Sequence, residues 1–361
     1  MNDFDHFVGT RQVGPSHAFD VAALTEWLQS NLEGFVGPLS VELFKGGQSN
    51  PTYKLITPAK CYVMRAKPAP VAKLLPSAHA IEREFTVMRG LQSTPVPVPQ
   101  MHCVCEDEAV IGRAFYIMEF MQGRVLWDQS LPGMNPDERG AIYDEMNRVI
   151  SGLHKVDFVR QGLASYGKPG NYFERQIGRW SKQYVASETE SIPEMDQLMR
   201  WLPANIPPLA RDERLISIVH GDYRLDNLMF DANKANVIAV LDWELSTLGH
   251  PLADFSYHCM AWHIPPGAFR GIAGLNLAGL GIPSEAQYIQ RYCERTELVT
   301  PEQLVQEWNF YLAYNMFRIA AILQGIAKRV QAGTASSAQA ANSAAGVKPL
   351  AQLAWSFANK H

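Results

Sequence analysis

The 361-residue chain lacks the charge imbalance that marks several classes of protein. Its 32 Lys and Arg residues are slightly outnumbered by 36 Asp and Glu residues, which leaves a net charge of −4 at pH 7. A nucleic-acid-binding surface or a basic arm for a membrane surface requires a cationic excess, and this composition provides none. We therefore expect neither a nucleic acid nor a membrane as a partner.

Long apolar runs are also missing. The best candidate, residues 310–327, is interrupted by Asn315, Arg318 and Gln324, so it predicts a buried helix rather than a membrane span. Residues 1–6 have neither the basic region nor the apolar core of a signal peptide, so we expect no secretory leader.

Cysteine is scarce and scattered, with five residues that form no disulfide framework. This usage predicts reduced thiols in a cytoplasmic protein. His102, Cys103 and Cys105 have the residue types of a metal site, but they lie too close together and no second cluster completes them. Alternate residues of a strand are the simpler interpretation.

The patterning of the chain changes near residue 121. Before it, a helix-like stretch at 20–33 is followed by β-rich runs and one helical run, which predict a small α+β lobe. Residues 121–124 have the character of a hinge. The predicted strands are 39–44, 51–57, 60–66, 100–106 and 113–119, and the predicted helix inserted among them is 78–91.

Beyond the hinge the sequence is mostly helical. Strand character returns only at about 215–242. The Ala/Ser-rich stretch 335–345 has low complexity and predicts a mobile loop or a weak helix. The predicted helices are 136–154, 171–187, 192–203, 252–262, 284–296 and 301–330, with a closing helix at 349–360.

The residues with clear chemistry lie in the β-rich stretch of the second half. Asp222 precedes Asn227 by five positions, and Asp242 follows Asn227 by fifteen. Each lies on a short polar turn beside an apolar run, so adjacent strands would bring these turns to one edge. An Asp that accepts a hydroxyl proton, with an Asn and a second Asp that hold Mg²⁺, is the set that phosphoryl transfer from ATP requires.

The motifs, in this order, resemble the aminoglycoside phosphotransferase and choline kinase superfamily. Residues 220–227 match its H-G-D-x-x-x-x-N catalytic loop, and residues 242–244 match its metal-binding D-[WF]-[ED]. Residues 249–254 match its G-x-P-x-x-D segment, although His250 replaces the acidic residue common there. The resemblance covers nearly the whole chain.

The resemblance implies an α+β, protein-kinase-like fold with two lobes. A small antiparallel-sheet lobe with one inserted helix, residues 1–121, would bind ATP. A larger, mostly helical lobe, residues 122–361, would carry catalysis and bind the substrate.

The same resemblance implies roles for the residues of the second lobe. Asp222 would accept the proton of the attacking hydroxyl, while Asn227 and Asp242 would hold Mg²⁺. Arg224 would contact a phosphate or the substrate, with a solvent-facing position as the alternative. Supporting roles at the site fall to His220, Asp254 and Glu244.

In the first lobe, the resemblance implies a nucleotide site. A glycine-rich hairpin would approach the phosphates through Gly46, Gly47, Ser49 and Asn50. Kinases place a lysine on the third strand, and Arg65 occupies that point here, with Lys67 as second choice.

The carboxylate partner of that cation is expected on the helix that follows. Glu84 lies on the apolar face of this helix, where an ionised group needs a partner. The backbone at Glu119 and Met121 would bind the adenine edge.

Segments 47–53, 65–68 and 73–80 resemble one branch of the superfamily, the kinase domains associated with acyl-CoA dehydrogenases, whose members act on 4-hydroxyacyl-CoA thioesters. This implies a hydroxyacyl-CoA as acceptor and makes a separate acyl-CoA dehydrogenase a hypothetical partner. The sequence leaves monomer and homodimer open.

Three alternative functions remain at this stage. The first is a kinase for an aminoglycoside, choline or a sugar. The second is a catalytically inactive nucleotide-binding module, which the arginine at position 65 motivates. The third is a metal-dependent hydrolase built on His220, Asp222, Asp242 and His250.

Overall fold

The structure is a computed structural model that describes residues 9–46, 50–68, 80–267, 271–333 and 340–360. The predicted phosphate-loop residues Gly47 and Ser49 lie outside the described residues.

The chain divides into two compact units. The first unit comprises Met1–Trp127, Val159–Tyr166 and Asp226–Ser246, and the second comprises Asp128–Phe158, Gly167–Leu225 and Thr247–His361. The first unit therefore includes two segments, Val159–Tyr166 and Asp226–Ser246, that are separated in sequence from its N-terminal part. The division into functional lobes at residue 121 stays a prediction.

A six-stranded antiparallel sheet, ordered β1-β2-β3-β4-β6-β5, forms the framework of the first unit. The sequence predicted five of these strands and missed β1, because its three residues, Thr-Arg-Gln, have no apolar alternation and join β2 through backbone pairing. The strands are β1 Thr10–Gln12, β2 Ser40–Phe44, β3 Thr52–Ile56, β4 Cys61–Ala66, β5 Met101–Cys105 and β6 Phe115–Glu119.

Two helices accompany this sheet, α1 (Val21–Asn31) and α2 (Ile81–Leu91). Leu24 and Leu28 of α1 pack in one buried cluster with alternate residues of the sheet, among them Met64. Because side chains alternate along a strand, Arg65 points to the opposite face, where it contacts α2. The period-two pattern of β4 thus decides where the cation lies.

The first unit also contains a three-stranded sheet ordered β10-β9-β7. Its strands are β7 Arg124–Val125, β9 Leu228–Phe230 and β10 Val237–Val240. The chain approaches β9 very closely just before β7. A Cβ atom on Gly123 would lie 2.4 Å from the Phe230 carbonyl oxygen, so only glycine fits there without displacement.

The second unit is mostly helical, with one two-stranded sheet of β8 (Ser217–Val219) and β11 (Thr247–Gly249). The prediction that strands in this half are confined to 215–242 was wrong, because β7 and β11 lie outside that range. Three of the helices begin with complete capping boxes, at Asn135, Ser284 and Thr300. The helices are α3 Pro136–His154, α4 Tyr172–Ser187, α5 Pro193–Ala204, α6 Pro251–Cys259, α7 Leu277–Leu280, α8 Glu285–Thr296, α9 Pro301–Gln331, α10 Ala340–Ala344 and α11 Val347–Ala358.

The long helix α9 packs against α4, α6 and α11. It contains the apolar stretch 310–327, whose residues from 310 to 321 are all buried. In the described part of the chain, no helix is both long enough and apolar enough to span a bilayer.

The close approach at Gly123 yields a stability prediction. Gly123→Ala should lower the free energy of unfolding by about 1–3 kcal/mol, because the methyl group would meet the Phe230 carbonyl and the side chains of Met229 and Ile238. Urea denaturation measures the change. Gly14→Ala is the control, since its methyl group would meet nothing within 4 Å. Equal stabilities of the two variants would contradict this account.

Candidate active site

In the second unit, one buried carboxylate organises the loop that follows β8. Asp254, on α6, accepts hydrogen bonds from the backbone N–H groups of His220 (2.7 Å) and Gly221 (2.8 Å). Its carboxylate also lies 3.3 Å from Nε2 of His154. Burial alone would raise the pKa of Asp254, but the contact with His154 and the loop N–H groups hold it below its usual value. The carboxylate is therefore ionised and fixes the loop backbone.

The loop is closed locally by its own histidine. The N–H of Asp222 donates to Nδ1 of His220 at 3.2 Å, and the His220 side chain is fully buried. Gly221 between them has φ +81°, a left-handed conformation that favours glycine. His220 and Gly221 thus have conformational reasons for their places in the H-G-D triplet.

The side chains of Arg224 and Tyr257 contact the carboxylate of Asp222. Nε of Arg224 lies 3.1 Å from Oδ1, and the hydroxyl of Tyr257 donates to the same oxygen. Sequence reasoning missed Tyr257, which belongs to none of the motifs. Its position three residues after Asp254 on α6 was the available signal, because residues i and i+3 share a helix face.

In the first unit, the hairpin of β9 and β10 places the two predicted metal ligands side by side. Asn227 immediately precedes β9, and Asp242 follows β10 by two residues. The N–H of Leu241 donates to the carbonyl oxygen of Asn227 at 2.8 Å. Asp242 has φ +63°, a left-handed conformation that is uncommon outside glycine and is concentrated at functional sites.

The side chain of Arg65, on β4, contacts carboxylates of α2 and of the turn that contains Asp242. Its Nε lies 3.0 Å from Glu84, and its Nη2 lies 2.9 Å from Asp242 and 3.7 Å from Glu244. Burial would lower the pKa of the guanidinium, but the neighbouring carboxylates, Glu84 foremost, raise it. Arg65 therefore remains a cation within this cluster.

The other predicted nucleotide residues are more dispersed within the first unit. Lys67 pairs with Glu82, and the two side chains are each about one third exposed, 31% and 30%. Asn50 is fully buried and donates to Glu84 at 2.9 Å. Gly46 follows β2, Glu119 ends β6 and Met121 lies two residues further on. Contacts of these residues with a nucleotide stay a prediction.

The donor set at the hairpin end fits Mg²⁺. Asn227 and Asp242 offer an amide oxygen and a carboxylate, which are hard ligands. Among the described residues, no three His, Cys, Asp or Glu side chains are grouped to hold a metal ion. Two protein ligands suit an ion whose remaining positions are filled by nucleotide phosphates and water.

His250 is used for structure. Its Nδ1 accepts from the N–H of Leu252 at 3.2 Å and thereby caps α6, while Nε2 donates to the carbonyl of Leu209 at 3.0 Å. These two contacts occupy both ring nitrogens of this buried side chain.

Fold and site together define a kinase-like phosphotransferase. The chain belongs to the phosphotransferase enzyme family (APH), whose sequence model matches residues 40–291. A proposed aminoglycoside phosphotransferase from Ralstonia eutropha JMP134 has a crystal structure with 62% sequence identity and a TM-score of 0.86, over 94% of this chain and 98% of that one. The predicted family is confirmed.

More distant solved structures share the fold alone. Choline kinase from Cryptosporidium parvum is 13% identical with a TM-score of 0.63, over 94% of each chain. The aminoglycoside phosphotransferase APH(4)-Ia, in complex with ADP and hygromycin B, is 16% identical with a TM-score of 0.59, over 93% of this chain and 98% of that one. The predicted kinase-like fold is thus confirmed.

Curated relatives carry a different name. Acyl-CoA dehydrogenase family member 10 of Mus musculus is 46% identical over 97% of this chain and 32% of its own length. Acyl-CoA dehydrogenase family member 11 of Homo sapiens is 39% identical over 94% of this chain and 43% of its own length. The chain therefore spans less than half the length of these relatives.

The Arg65 cluster predicts unequal effects for two cations of one segment. Arg65→Met should lower the free energy of unfolding by about 3 kcal/mol, because it leaves the buried Glu84 carboxylate without its ion pair. Lys67→Met breaks a partly exposed pair and should cost about 1 kcal/mol or less. Chemical denaturation of both variants tests the contrast, and a larger loss for Lys67→Met would refute it.

Burial predicts a pH effect for His250, because it lowers the pKa of this side chain from 6.5 to about 4. Between these values the unfolded state binds a proton that the folded state does not, so stability falls as the pH drops from 6.5 to 4. The slope is at most about 1.4 kcal/mol per pH unit, and the contribution vanishes above the unfolded pKa.

His250→Asn is the matched variant, because an Asn side chain can still cap α6 but does not titrate. Its unfolding free energy, measured by denaturant titration at several pH values, should fall less steeply than that of the wild type within this window. Parallel slopes for the two proteins would remove His250 from the pH dependence.

Proposed function

We propose that the protein transfers the γ-phosphate of ATP to the hydroxyl group of a small molecule, and that a hydroxyacyl-CoA thioester is this acceptor. The observation that carries the chemistry is the fixed Asp222 carboxylate, on a loop that Asp254 holds through two backbone N–H groups. Support for the acceptor comes from relatives of the acyl-CoA dehydrogenase family that match 94–97% of this chain.

The proposed reaction uses Asp222 as general base. Its carboxylate accepts the proton of the acceptor hydroxyl as that oxygen bonds to the γ-phosphorus and ADP leaves. Asn227 and Asp242 would hold Mg²⁺, which supplies charge neutralisation on the phosphates when bound. Arg65 takes the place of the kinase lysine, with Glu84 as its carboxylate partner at 3.0 Å.

The product carries a phosphate on the oxygen of the former hydroxyl group. Because phosphate is a better leaving group than hydroxide, the product is prepared for elimination. We therefore propose that an acyl-CoA dehydrogenase acts with this protein. It would either supply the thioester or oxidise it further. The names of the curated relatives support the link, and the chain itself matches 32% and 43% of their lengths.

A screen with γ-labelled ATP against short 4-hydroxyacyl-CoAs, choline, sugars and aminoglycosides tests the proposal. Label should pass to the hydroxyacyl-CoA. Asp222→Asn should reduce transfer by about 10²–10⁴-fold, because the amide cannot accept the proton. Binding of Mg·AMP-PNP, measured by calorimetry, should be retained.

Asp231→Asn is the control, because the amide oxygen of Asn can still accept from the N–H groups of Asn233 and Lys234. It should transfer phosphate at the wild-type rate. Undiminished turnover by Asp222→Asn would remove Asp222 as the base. Transfer only to choline, a sugar or an aminoglycoside would replace the acceptor, and nucleotide binding without any transfer would favour a non-catalytic module.

A further inference from the structure

Beneath the Asp222 loop of the second unit lies a pair of side chains that no motif contains. Tyr257 is on α6 and Arg318 is on α9, and both residues are 7% exposed. The guanidinium of Arg318 lies over the ring of Tyr257, 5.3 Å from its centroid. We call these two residues the Tyr257–Arg318 pair.

Arg318 is an unusual buried cation. In the described part of the chain its contacts are the carbonyl oxygen of Gly221, 2.6 Å from Nη2, and the rings of Trp180 and Tyr257. Among the described residues no carboxylate lies in ion-pair contact with Arg318, although Asp222 attracts it at longer range, so burying this guanidinium costs stability that an apolar side chain would not. Its direct contact with the residue before Asp222 points to a role at that loop.

Tyr257 reaches the carboxylate itself. Its hydroxyl donates to Oδ1 of Asp222. Burial and the neighbouring Asp222 raise the pKa of the Tyr257 phenol, so it keeps its proton at physiological pH and remains a donor. The χ2 torsion of an Asp side chain has a broad energy minimum, so the hydrogen bond from Tyr257 restrains the plane of the carboxylate.

Contacts between α6 and α9 set the geometry of the pair. Nδ2 of Asn315 donates to the carbonyl of Ala253 (3.0 Å) and to Oγ of Ser256 (2.8 Å). Asn315 precedes Arg318 by three residues, and Ser256 adjoins Tyr257. The helix α9 lies beyond residue 291, where the match to the family model ends. The contact between Arg318 and the Asp222 loop is thus made by a helix outside the matched region.

We propose that the Tyr257–Arg318 pair positions Asp222 for proton abstraction. Tyr257 fixes the orientation of the carboxylate, and Arg318 fixes the preceding backbone and the ring of Tyr257. The inference rests on the proposed function, in which Asp222 is the general base. A base must be held in one geometry to act efficiently, and packed side chains behind it supply that restraint.

Tyr257→Phe tests the pair, because it removes the hydroxyl and keeps the ring. We expect kcat to fall about 10- to 100-fold, the loss expected for one hydrogen bond to a charged group. The KM for ATP and the calorimetric affinity for AMP-PNP should stay within about twofold, since the ring and loop backbone remain. Arg318→Lys should lower kcat in the same direction.

Tyr311→Phe is the matched control, because this buried tyrosine on α9 also donates to a carboxylate, Glu307, at 3.1 Å. It should retain the wild-type kcat. A double-mutant cycle then separates positioning from structure. In an Asp222→Asn background, Tyr257→Phe should cause little further loss, because its effect passes through Asp222. A full multiplicative loss in that background would overturn the proposal.

The outcome for the acceptor is separable from the outcome for the pair. A wild-type protein that phosphorylates no hydroxyacyl-CoA but another alcohol changes the acceptor, and the cycle is run with that alcohol. A crystal structure of Tyr257→Phe needs no acceptor at all. A displaced Asp222 carboxylate supports the proposal, whereas a carboxylate that keeps its position overturns it, as does an unchanged kcat.

Discussion

The contact on which the second unit depends is the buried Asp254 carboxylate and the two backbone N–H groups it accepts. Without an acceptor, the N–H groups of His220 and Gly221 would be buried and unsatisfied, at a cost of about 1–3 kcal/mol each. The charge itself is tolerated because His154 lies beside it. The backbone of the loop that carries Asp222 is therefore held by a side chain that has no part in the chemistry proposed for Asp222.

The first unit also holds a buried charge among fixed partners, but here the buried charge is positive. There the organising group is a cation, Arg65, and its partners are the carboxylates of Glu84 and Asp242. Tyr116 adds a hydrogen bond from its hydroxyl to Glu84 at 3.1 Å. In both units a charge in a nearly dry environment is surrounded by fixed partners, which makes its surroundings rigid.

Periodicity and capping predicted much of the fold. Helical patterning predicted α3 at 136–154, the bounds that the structure shows, and an Asn cap followed by Pro begins it there. Short strands such as β1 and β11 were not predicted, because three residues of backbone pairing leave no periodic signal. The Asn227–Asp242 juxtaposition was predictable from the hairpin. Tyr257 shares a helix face with Asp254, but this spacing gives only the face, and the contact with Asp222 depends on how α6 packs.

The exchange of lysine for arginine on β4 is the departure that motivated a non-catalytic interpretation. An ammonium makes a point contact, whereas the guanidinium uses Nε for Glu84 and Nη2 for Asp242 at the same time. Glu84, the α2 carboxylate that a lysine at this position would pair with, is therefore still paired. Because the exchange preserves that pairing and adds a second contact, the arginine by itself is no argument against turnover. In the reaction proposed here the decisive group is Asp222, which the sequence retains together with its loop.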